Sequence, residues 1–163
     1  MGVPVTKLLL SVHVLASIVA IGPITVAASM FPRFVKPRTG DDDPAGEERT
    51  PAGPAMLHRI CRGYTVVGLA VPVFGFATGA RMGVLGDAWL IASVILTATA
   101  AALLLTAILP AQERLLARPA GVVAEEAARS AAARLAMVTG IFNLLWAVVV
   151  VLMIVRPGST TGA

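Results

Sequence analysis

From Leu8 to Phe31 the chain reads LLLSVHVLASIVAIGPITVAASMF, with no Asp, Glu, Lys or Arg anywhere in the run. A helix rises about 1.5 Å per residue, so ~20 such residues cross the ~30 Å hydrocarbon core of a bilayer. Three further apolar blocks follow, from Gly63 to Ala80, from Ala88 to Gln112 and from Leu135 to Val155. The second is the shortest and the richest in glycine. No carboxylate lies inside any of the four blocks.

The whole chain agrees with that reading. Its 163 residues are 57% hydrophobic and 13% charged, with a mean hydropathy of +0.85, whereas a soluble domain carries about 25% charged residues. The expected fold class is therefore all-α: a four-helix transmembrane bundle of up-down topology, forming one domain over residues 1–163. Flanking residues that continue the helical pattern give helices at about 8–31, 55–80, 88–116 and 122–155. Between the first two, residues 37–54 are rich in Pro, Gly, Thr, Asp and Glu, including Asp41-Asp42-Asp43. Having nothing apolar to bury, this segment reads as a mobile cytoplasmic loop and a solvated spacer.

The first block exceeds the ~7–15 residue apolar core of a signal peptide. More basic residues follow it (Arg33, Lys36, Arg38) than precede it (Lys7), so it reads as a retained helix despite the small residues Val26-Ala27-Ala28-Ser29. The start, Met1-Gly2-Val3-Pro4-Val5-Thr6, matches a myristoylation pattern only formally in a chain that already spans the membrane.

Net charge is +4 and the sequence pI is near 10.2. The basic residues cluster at the ends of apolar blocks and form no soluble basic face, which argues for a bilayer partner and against nucleic acid. Arg33, Lys36, Arg38, Arg49, Arg59, Arg62, Arg114, Arg118, Arg129 and Arg134 flank one side, and only Lys7, Arg81 and Arg156 the other. By the positive-inside rule, loops 32–62 and 113–134 are cytoplasmic and both termini face outward. The localisation that follows is a multi-pass protein of the inner (plasma) membrane. Arginine-rich, alanine-rich usage suggests a GC-rich bacterial source.

Polar residues inside the blocks are the site candidates. His13 lies on the outward half of the first helix with Ser17 one turn deeper, and an intramembrane ionisable residue is a functional candidate by default. Three readings stand for it. It is an axial ligand of haem b, with Met153 of the fourth helix or a second subunit supplying the other ligand. It is part of a metal site, such as copper with Met82 and Met153. Or it is a neutral ring hydrogen-bonded to a neighbouring helix, with Ser93 and Thr78 the expected partners. Asn143 reads as interhelical glue bonded to Thr97 or Thr99. Gly75 and Gly79 form a small-xxx-small pair that allows close approach, either within the chain or across a dimer seam. Asp87 is placed as the N-cap of the third helix, and Trp89 as an interfacial aromatic. His58, Arg59 and Arg62 read as headgroup contacts. Cys61, the sole cysteine, excludes an internal disulfide. Glu125 and Arg129 form a helix-supporting pair.

Several local stretches together resemble a bacterial family of predicted four-helix integral membrane proteins of unknown function. They are Leu10-Ser11-Val12-His13-Val14-Leu15, Gly86-Asp87-Ala88-Trp89-Leu90, Leu109-Pro110-Ala111-Gln112 and Met153-Ile154-Val155-Arg156-Pro157. A more distant similarity runs to copper-resistance D-type proteins and membrane protoporphyrinogen oxidases. Those relatives place histidines in a comparable bundle, some of them for haem, and His13 is the corresponding position here.

Three function classes follow. A non-catalytic structural or accessory subunit, in a homodimer or a larger membrane complex, fits the lack of a catalytic constellation. A haem or metal redox protein uses His13. A small transporter is the third, although proton-coupled carriers ordinarily place a carboxylate in the membrane.

Overall fold

The computed structural model describes residues 3–35, 52–117 and 122–158. The loop 37–54 lies outside the described residues, apart from its last three positions, as does the Glu125 side chain of the helix-supporting pair. Among the described residues the chain is helical and contains no strand. It is an all-α bundle of four transmembrane rods in up-down order.

The first rod is one helix, α1 (Val3–Val35). The second comprises α2 (Ala52–Gly68) and α3 (Ala70–Met82). The third comprises α4 (Ala88–Leu103), a π-helical turn over Leu104–Ile108, and α5 (Leu109–Leu116). The fourth is α6 (Val122–Val155). Each rod contains a stretch long and apolar enough to cross a membrane: Val5–Val35, Ala52–Met82, Ala88–Leu116 and Glu126–Val155. The first two rods extend beyond their apolar blocks at both ends, the third runs past its block to Leu116, and the fourth begins ahead of its block at Val122.

Two interruptions have a covalent cause. Pro72 has no N–H to offer the Gly68 carbonyl, and the rod breaks just before it, where Leu69 N–H turns back to the Val66 carbonyl at 3.2 Å. Pro110 likewise cannot bond the Thr106 carbonyl, and its ring crowds that oxygen. The π-turn immediately precedes it. Among the buried positions of this rod, Ala100, Leu104, Ile108 and Gln112 form a row, each four apart. A regular α-helix turns about 40° past a full circle every four residues. The wider π-turn absorbs that drift and keeps Gln112 on the inner face.

The outer faces are what identify the solvent. Leu8, Leu15, Val66, Leu69, Met137 and Leu144 are all between 61% and 70% exposed. Water would not tolerate that coat of aliphatic side chains, whereas lipid tails pack against it without penalty. The interior instead uses small residues for close approach: Ala20, Ala27, Ala28, Ala100 and Ala132 are at most 2% exposed. The main core joins Ile24, Phe31, Cys61, Leu104, Ile108, Leu135 and Phe142 toward the Arg33 end of the bundle. A smaller cluster of Val84, Trp89 and Leu90, packed by Met82 and Met153, closes the Arg81 end.

α1 packs along the length of α2 and α3, and α4 packs on α6, so the bundle is two hairpins. α3 and α4 scarcely touch. The hairpins are stitched by Asn143, whose Nδ2 donates to Ser29 Oγ at 3.0 Å. This differs from the partner expected from depth alone: Thr99 bonds its own helix at the Ile95 carbonyl. A double-mutant cycle of Asn143→Ala and Ser29→Ala, read by unfolding in mixed micelles, should show a coupling of about 0.6–2 kcal/mol. Full additivity would remove this bond as a link between hairpins.

Candidate intramembrane cleft

Where α3 and α4 part, a cleft of about 1630 Å³ opens between the hairpins. Its walls come from α1, α3, α4 and α6 and are predominantly aliphatic: Ile18, Val94, Ala98, Ala147 and Val150 among them. Into it come a few polar side chains, His13, Ser17, Ser93 and Thr97, together with Trp146, Met153 and Arg156. An apolar cleft with a few convergent polar groups is the ordinary form of a small-molecule site.

His13 is held by backbone. Its Nδ1 lies 2.9 Å from the Val71 carbonyl oxygen, which only accepts, so Nδ1 is the protonated nitrogen. In the neutral ring, Nε2 then carries the lone pair, and it has no hydrogen-bond partner among the described residues. The ring lies against Gly75: a Cβ there would stand 2.7 Å from His13 Cε1 and 3.0 Å from Nδ1. Gly79, one turn on, receives Leu90 at 3.0 Å by the same measure. The glycine pair thus serves contacts within one chain.

The partners expected for His13 are occupied elsewhere. Ser93 donates to the Trp89 carbonyl at 2.8 Å and Thr78 to the Phe74 carbonyl at 2.7 Å, each within its own helix. Ser17 donates to the His13 carbonyl at 2.8 Å. Thr97 lines the cleft, whereas the Thr99 side chain is exposed. Met153 shares the cleft with His13 and also packs on the Val84–Trp89–Leu90 cluster.

At the Arg81 end, Asp87 sits at the N-cap position of α4 but makes no side-chain cap. Its Oδ2 instead accepts the Trp89 indole N–H at 2.9 Å, so Trp89 is buried against the protein and not spread at a lipid interface. Arg156 ends α6 at φ 46° and lays its guanidinium over the Trp89 ring, 5.6 Å from the centroid. This cation–π contact places a permanent positive charge at the rim of the cleft.

A second polar group lies at the opposite end. Arg59 and Arg62 are exposed, as headgroup contacts require. His58 departs from that expectation. It is 8% exposed and turned inward, because the π-turn has brought Gln112 to face it. His58 Nδ1 donates to Gln112 Oε1 at 3.0 Å. Gln112 Nε2 then points to Cys61 Sγ at 3.6 Å, and Cys61 to the Ile24 carbonyl at 4.0 Å. The donors run in one direction and join three rods. On its other side, His58 Nε2 stands 3.6 Å from Glu113 Oε1, a carboxylate whose side chain is 60% exposed. No group of three or more His, Cys, Asp or Glu suited to a metal occurs among the described residues.

On α6, Thr139 Oγ1, Asn143 Oδ1 and Trp146 Nε1 are buried without a partner among the described residues. The spacing places them on one helical face. Compared with known protein families, curated proteins and solved structures, the chain matches none.

Gly75→Ala should destabilise the protein by about 1–3 kcal/mol, the ordinary range for overpacking, as its methyl meets the imidazole. Adding His13→Ala should recover much of that loss in a thermal melt. Equal melting of Gly75→Ala and the native chain would show that the ring does not rest there.

Proposed function

We propose that this chain is a non-catalytic accessory protein of the plasma membrane that holds a membrane-soluble molecule in the cleft between its hairpins. The observation that carries this reading is His13: its Nδ1–H is committed to the Val71 carbonyl, and its unpartnered Nε2 belongs to a residue lining that cleft. A polar anchor in an otherwise aliphatic cleft orients a ligand that enters sideways from the lipid. Kinship with the bacterial four-helix family, and at a distance with copper-resistance D-type proteins and membrane protoporphyrinogen oxidases, is part of the same proposal.

A second reading, in place of the first, takes the donor set of the same cleft as that of a haem b site. An imidazole whose second nitrogen bonds a backbone carbonyl is the usual preparation of a metal-ligating histidine. A thioether, Met153, borders the same cleft. His13 and Met153 would hold the iron, and the group would supply one-electron chemistry that the protein's side chains lack. Purified protein should then show a Soret band with sharp reduced bands, both lost in His13→Ala. A featureless spectrum removes haem, and an unchanged complement of co-purifying lipophilic molecules in His13→Ala removes His13 as the anchor.

The excess of basic residues at 32–62 and 113–134 supports placing those segments in the cytoplasm with both termini outside. Reporter fusions at residues 85 and 163 should be active only with an externally active enzyme, and fusions at 45 and 120 only with a cytoplasmic one. The opposite pattern would invert the topology.

A further inference from the structure

The cleft has a charged rim, and among the described residues no carboxylate pairs with the charge. Arg156 donates from Nε to the Met153 carbonyl at 3.3 Å and lies over Trp89, which fixes the side chain without neutralising it. Its two terminal nitrogens have no carboxylate within salt-bridge distance among the described residues. The nearby Asp87 carboxylate is engaged by the Trp89 indole. Below the rim, the cleft runs between Ile18, Val94, Ala98, Ala147 and Val150 without another charge. Its volume, about 1630 Å³, exceeds the ~300–1,000 Å³ of ordinary small-molecule pockets.

We propose that the cleft is a resident site for an anionic two-chain phospholipid, its phosphate paired with Arg156 and its acyl chains laid between the hairpins. The inference rests on the reading of the cleft as a ligand site and adds the class of ligand. Two properties select it. A guanidinium with free terminal nitrogens recognises a phosphate through paired hydrogen bonds. A long aliphatic cleft, too large for a compact ligand, is filled by flexible chains that enter from the surrounding lipid. A surface arginine that merely reaches toward headgroups would have no cleft beneath it. Here Trp89 holds Arg156 over one.

The test is native mass spectrometry of the full chain released from vesicles of equimolar phosphatidylglycerol and phosphatidylcholine. The native protein should retain phosphatidylglycerol about fivefold over phosphatidylcholine, the preference of one basic residue for an anionic lipid. Arg156→Gln should abolish the preference, and Arg156→Lys should keep most of it. Ala98→Phe with Ala147→Phe, which fill the cleft, should remove retained lipid of both kinds while circular dichroism shows the helices intact. Equal retention of the two lipids by the native chain, with loss in the filled variant, overturns the headgroup assignment and leaves the cleft as a site. Unchanged retention in the filled variant overturns both. A phosphatidylglycerol preference that survives Arg156→Gln overturns the role given to Arg156.

Discussion

In hydrocarbon no water is available to a peptide group, so each N–H and C=O must find its partner within the protein or cost several kcal/mol. The fold is shaped by that requirement and by the residues that cannot meet it. Four rods of α-helix satisfy it along most of the chain. Pro72 and Pro110 violate it in the second and third rods, and both rods respond where the proline demands, by a break at Leu69 and by a π-turn at Leu104–Ile108. Pro23 and Pro32 sit inside α1, which remains continuous. The second and third rods are thus the irregular ones, and their irregularities decide which polar side chains meet.

Those irregularities explain what the sequence disclosed and what it did not. Uncharged apolar blocks announce a membrane span whatever the helix's rotation, and for that reason all four rods could be read directly from composition. A polar partner depends on rotation and on neighbouring backbone, and neither is written in hydropathy. His13 found a carbonyl, Val71, that any residue type would have provided. Asn143 found Ser29, which in the sequence drew notice only as part of a cleavage-like stretch. His58 looked like a neighbour of Arg59 and Arg62 because a regular third helix would turn Gln112 away from the inner face. Recognising that Pro110 follows buried positions spaced by four would have been the signal that Gln112 turns inward. The two glycines at 75 and 79 were visible as a close-packing pair, but only the structure shows that a ring and a leucine fill the space they leave.

The two ends of the bundle differ in how they are closed. Toward the Arg33 end, the main core and the chain of donors from His58 to Ile24 bind the hairpins together. Toward the Arg81 end, closure falls to the small Trp89 cluster and to the guanidinium above it. Between them lies the apolar cleft, walled by α1, α3, α4 and α6.

The imidazole of His13 also has a mechanical consequence. Seated on the backbone at Gly75 and tied to Val71, it acts as a key in a slot between α1 and α3. Sliding by a turn would bring the ring onto Val71 or onto Leu90, which already fills the room at Gly79, and rotating either helix would drive it into other side chains. The first hairpin is therefore locked in register, whereas the second meets it at α3 and α4 only lightly.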